Sequence, residues 1–92
     1  MQFVHDPEAN ALYIHLANKP YSHGRDLDAE RRIDYAADDT PIGVELTCVR
    51  SGIRLGDLPR AKAIAKVLKD LNLPAFSLTG RIDGLTAMER MI

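Results

Sequence analysis

Histidine and carboxylate side chains hold metals and move protons. This chain carries three His and 13 Asp or Glu. His5, His15 and His23, with Asp6 and Glu8 close by, invite a metal reading. His15, Asp34 and Glu45 invite another, a small hydrolase or metal-dependent enzyme with an imidazole and two carboxylates as its working groups. Cys48 is the single cysteine, with only Arg50 nearby in sequence to lower its pKa. A small buried hydrophobe is the simpler expectation for it. Ser51-Gly52 and Gly80 lack the spacing of a phosphate-binding loop. Every one of these chemistries needs its groups to converge, so the elements that carry them decide.

Residues 2–5 read as a short strand, Asp6-Pro7-Glu8-Ala9-Asn10 as a turn, and residues 11–16 as an alternating strand. Together they form a hairpin. Residues 17–30 form a polar connection, with a short strand near Arg25–Leu27. Residues 31–36 alternate again, Ala37-Asp38-Asp39-Thr40 turns, and residues 42–47 alternate after Pro41, which gives a second hairpin. Ser51 to Gly56 reads as a loop. Residues 57–72 predict a helix with Asp57 as N-cap, Pro59 in its first turn, and Asn72 and Pro74 at its end. Ala61, Ile64, Ala65, Leu68 and Leu71 make its apolar stripe, with Lys62, Lys66 and Lys69 opposite. Residues 75–78 suggest a strand returning to the sheet. In the tail, residues 80–92, Thr86 and Glu89 match a capping box.

Register turns these elements into faces. Closure of the first hairpin around residues 7–10 sets Phe3 opposite Ile14, His5 opposite Leu12, Val4 opposite Tyr13 and Gln2 opposite His15. His5 and His15 then point to opposite faces and cannot share one ion without a bulge, whereas a zinc site needs three or four convergent ligands. Closure of the second around residues 37–40 sets Tyr35 opposite Ile42, Ile33 opposite Val44, Asp34 opposite Gly43 and Arg32 opposite Glu45. Ile33, Tyr35, Ile42, Val44 and Leu46 share the core face, and a one-residue slip would bury Asp34 and Glu45. Arg32 opposite Glu45 predicts a cross-strand ion pair, and Gly43 opposite Asp34 predicts a bulge or a close backbone approach. The helix is expected to cover the apolar face.

The chain has 92 residues, 46% hydrophobic and 27% charged, with a net charge of −1. That suits one small domain over residues 1–92, and neither a disordered chain nor a dedicated nucleic-acid binder, which carries a basic excess. One cysteine forms no internal disulfide, and no apolar run approaches a membrane span, so a cytoplasmic protein without membrane contact is expected. Charge is uneven along the chain. Residues 1–40 hold eight acids and four bases, a net of −4, while residues 41–92 hold five acids and eight bases, a net of +3.

Residues 5–16, His-Asp-Pro-Glu-Ala-Asn-Ala-Leu-Tyr-Ile-His-Leu, resemble the opening motif of a family named for domain of unknown function 2283. Ile33-Asp34-Tyr35, a turn, and Ile42-Gly43-Val44-Glu45-Leu46 are similar to its second motif. The resemblance covers residues 2–48 and departs from the pattern at His5, where an aromatic is usual, and at Asp39, where glycine is. It implies a small antiparallel β-domain and brings no catalytic residues with it. Some members are thought to neighbour toxin genes, which implies a toxin as a conceivable protein partner.

These readings combine into an α+β domain, a four-stranded antiparallel sheet of two hairpins with a C-terminal helix on one face. The expected function is a non-enzymatic protein–protein interaction module, antitoxin-like or homodimeric, without metal or cofactor. Its expected partner-binding residues are Leu85, Met88, Met91 and Ile92 of the tail and Lys62, Lys66 and Lys69 of the helix. The enzyme built on His15, Asp34 and Glu45 is the alternative.

Overall fold

The computed structural model describes residues 1–76. The expected tail surface at Leu85, Met88, Met91 and Ile92 therefore lies outside the described residues. The chain divides into two compact units after Val49. The first is an antiparallel sheet of β1 (Gln2–Asp6), β2 (Ala11–His15), β3 (His23–Asp28), β4 (Arg31–Tyr35) and β5 (Pro41–Thr47), in the order β1-β2-β5-β4-β3. Together with the helix described below, this makes an α+β fold, with five strands in the main sheet rather than four.

The first hairpin has the expected register at all five pairs, from Gln2 with His15 to Asp6 with Ala11. Its turn chemistry explains the closure. Asp6 Oδ1 accepts the Ala9 amide at 3.1 Å, and Asn10 takes the left-handed conformation at φ 56°. In the second hairpin, residues 31–34 pair as expected with Leu46 through Gly43, but Tyr35 lies opposite Pro41 rather than Ile42. A shift between Asp34 and Tyr35 absorbs one residue. The β4–β5 turn holds Asp39 at φ 66°, a conformation that glycine adopts without steric cost, which accounts for the glycine that the resemblance expects there.

The extra strand is β3. It pairs along β4 with a bulge at Leu27, between Asp26 and Asp28. Leu12, Ile14, Ile33, Ile42, Val44 and Leu46 are buried, the core face the alternation predicts. Arg31 shares that side and is only 9% exposed. The bulge brings Asp28 to it, with Asp28 Oδ2 accepting from Arg31 Nε at 2.9 Å.

One turn of 3-10 helix, Val49–Ser51, spans the division between the units. The second unit, as described, holds β6 (Ile53–Arg54), the helix α1 (Ala61–Asp70) and β7 (Ala75–Phe76). The returning strand does not join the main sheet. β7 pairs in parallel with β6, inside the stretch expected to be a loop. The helix begins four residues later than its expected cap. Asp57 and Arg60 both have positive φ, so the chain turns twice before Ala61, and Arg60 stands at the N-cap without a side-chain hydrogen bond. The C-terminus follows the expected chemistry. Asn72 is left-handed at φ 59°, its amide bonds the Lys69 carbonyl, and the Leu73 amide bonds the Leu68 carbonyl, which is a Schellman closure. Ile64, Val67 and Leu68 are buried, and Lys62, Lys66 and Lys69 are exposed. No helix among the described residues is long and apolar enough to cross a membrane.

Candidate functional site

The polar face of the five-stranded sheet gathers most of the side chains singled out for chemistry. Strand alternation and the pairing register set them in two rows across the sheet. Val4, Tyr13, Glu45, Arg32 and Asp26 form one, and Gln2, His15, Gly43, Asp34 and Gly24 form the other. Two glycines in one row leave room for side chains of the neighbouring row to lie flat.

That room is filled. The Tyr13 phenol lies over Gly43, where any Cβ would strike its ring and oxygen. Its hydroxyl crosses β5 and donates to Asp34 Oδ2 at 3.1 Å. The Arg32 guanidinium lies over Gly24 in the same way. It donates to Asp26 at 3.0 Å and to the Tyr21 hydroxyl at 3.4 Å, and its Nε stands 3.4 Å from Asp34 Oδ1. Arg32 therefore pairs with Asp26 and Asp34, and not with Glu45, the partner expected from register. Both Asp34 oxygens face donors, and its side chain is only 17% exposed. Hydrogen bonds from Arg32 to Tyr21 and Asp26 hold its proton more firmly than in a free guanidinium.

Burial, then the Asp34 hydrogen bond, then the charges of Asp34 and Glu45 push the Tyr13 phenol up to about 12. The sign of the pH effect follows. A phenol raised above its unfolded value contributes stability that is fully present below about pH 10 and lost as pH climbs toward about 12. Near-ultraviolet titration should show a phenol ionising at about pH 12, and Tyr13→Phe should abolish that step.

The three side chains of the enzyme reading are spread across the polar face. His15 and Asp34 flank Gly43 from opposite sides, so they sit two strands apart, roughly 9–10 Å at ordinary strand spacing. The Tyr13 phenol lies over the glycine between them. His15 lines a hollow of about 510 Å³ with Met1, Gln2, Phe3, Val4 and Tyr13. Glu45 lines a separate one of about 170 Å³ beside Asp26, Asp28 and Arg31. Asp34 lines neither of the two.

The metal candidates disperse likewise. His5 pairs with Leu12 on the core side, His15 is exposed on the polar face, and His23 stacks on Tyr35 and contacts Asp39 at 3.0 Å. Among the described residues, no three His, Cys, Asp or Glu side chains could hold an ion together. Cys48 is exposed at φ 54°, contrary to the expected buried hydrophobe, because it stands where the chain turns out of β5.

Residues 3–49 match a family described as protein of unknown function (DUF2283). The chain belongs to that family. The match to DUF2283 ends where the first unit ends, so it covers the five-stranded sheet and leaves β6, α1 and β7 outside. The motif residues Tyr13, Asp34 and Gly43, from three different strands, meet in a single contact. In this DUF2283 chain the motifs therefore mark a clasp that ties β2, β5 and β4. No curated protein and no solved structure shows a significant match to the chain.

Sequence reasoning missed two features of the site. The Tyr13 bridge needs the β2–β5 pairing, which neither hairpin alone contains. The exposed outer edge of β1 is visible only once β1 is known to end the sheet.

Proposed function

We propose that this chain is a non-enzymatic protein-interaction module and that its docking surface is the outer edge of β1. The observation that carries this reading is the contrast between the two sheet edges. β3, at one edge, is bulged and bears Arg25, Asp26 and Asp28, the usual devices against strand pairing. β1, at the other, has regular pairing to β2, no Lys, Arg or Pro, and exposed Phe3 and Val4, the latter at 69%. Among the described residues no strand pairs with the outer side of β1, and a five-residue strand with such side chains suits strand addition.

Lys62, Lys66 and Lys69 are exposed, with Lys66 paired to Asp70 at 3.3 Å, and such a basic stripe steers an acidic partner, an effect on rate more than on affinity. A toxin is one partner such an edge could take. The alternative, an enzyme at His15, Asp34 and Glu45, has no comparable support.

In-cell photo-crosslinking tests the reading. A photoreactive phenylalanine analogue replacing Val4 is expected to capture a protein, and the same analogue replacing Arg25 is not. Equal capture from both positions, or none from Val4, would remove β1 as the docking edge.

A further inference from the structure

Resting on that reading, we infer that the strand β1 takes is β1 of a second copy of this chain, antiparallel and centred on Val4. The strand runs from Gln2 to Asp6, so Val4 is its midpoint. A two-fold axis through Val4 sets Val4 against the partner's Val4, Phe3 against the partner's His5 and Gln2 against the partner's Asp6. This is the self-complementary geometry of an isologous interface.

Charge favours this arrangement over its rivals. Asp6 is the one carboxylate of the strand, and β1 carries no Lys or Arg. The antiparallel pair gives each Asp6 an amide neighbour, whereas a parallel pair would oppose the two carboxylates. β3 cannot serve as well, because its bulge and its charged side chains interrupt a regular ladder.

Side-chain rows continue across the seam. On the polar face, Val4 of one copy meets Val4 of the other, which covers both and narrows the hollow that Val4 lines with Tyr13 and His15. Two five-stranded sheets become one ten-stranded sheet with β3 at both outer edges. A five-residue strand is roughly 17 Å long. Its pairing buries less than the roughly 1,200 Å² of stable complexes, so the dimer dissociates on dilution.

Sedimentation velocity over a concentration series, combined with crosslink mapping, tests the inference on the full chain. The expected result is a monomer–dimer equilibrium whose dissociation constant rises by roughly tenfold or more in Val4→Lys, through like charges at the axis and lost apolar contact. The Val4 photo-crosslink should map to β1 of the second copy. Circular dichroism checks that Val4→Lys stays folded, and crosslink mapping of the chain without that substitution needs no such check. A monomer at every concentration, or a dimer that Val4→Lys leaves intact, overturns the inference. Capture by Val4 of a different protein also overturns it while sparing the interaction-module reading, and capture of nothing ends both.

Discussion

Asp28→Ala is expected to lower the unfolding free energy by about 3 kcal/mol, near the lower end of the range for breaking a buried ion pair. Arg31 is the reason. It lies opposite Leu46, on the side of the sheet that buries Ile33 and Val44, and is only 9% exposed. A guanidinium there needs an anion close by, and the bulge at Leu27 delivers Asp28 to it at 2.9 Å. The Asp28 carboxylate also accepts the Glu30 amide at 2.9 Å, which shapes the turn between β3 and β4. Its side chain is partly exposed, which moderates the loss. Urea denaturation gives the value. Arg31→Met combined with Asp28→Ala should recover part of the loss, because an apolar pair leaves no buried charge behind. An ordinary surface pair would give less than about 1 kcal/mol for Asp28→Ala and no such recovery.

Gly43→Ala should cost about 1–3 kcal/mol, the usual range for overpacking. The new methyl would occupy the space of the Tyr13 phenol, so the ring must leave or the strand must move. Displacing the ring also breaks its hydrogen bond to Asp34, a link between β2 and β4 that passes over β5. Removing the ring first should relieve the conflict. In a Tyr13→Ala background, Gly43→Ala should cost a few tenths of a kcal/mol at most, and the double-mutant cycle should show strong coupling. Equal costs in both backgrounds would mean that Gly43 serves some purpose other than seating Tyr13.

Much of the sheet was legible in the residues. The first hairpin follows from alternation and an Asp-Pro turn whose side chains close it, so every pair agrees. The second agrees through Asp34 and then departs by one residue. A bulge beside Pro41 leaves no hydrophobic trace, since Ile42 remains buried in either register. β3 was legible only as a fragment, because His-Gly-Arg-Asp-Leu-Asp has a single large apolar residue and is a strand by pairing with β4. Asp57 looked like a cap, but two left-handed residues, Asp57 itself and Arg60, delay the helix to Ala61.

The site was legible in part. Opposing faces for His5 and His15 follow from period two along a strand, whereas Gly43, expected to mark a bulge or a close backbone approach, is instead covered by a side chain. The identity of that side chain does not follow from the alternation, because Tyr13 arrives from β2, a strand outside the second hairpin. The burial of Arg31 is not legible, since nothing local shows that a bulge will carry an aspartate to its side.

Amide hydrogen exchange of the intact chain, compared at low and high protein concentration, tests the central claim most directly. That claim is that the polar face is a structural clasp and that β1 is where a second copy of the chain binds. The account predicts that outward-facing amides of β1 gain protection as concentration rises, while β3 and the strands carrying Tyr13, Asp34 and Gly43 stay unchanged. Protection gained along β3, or no change anywhere in β1, would contradict it.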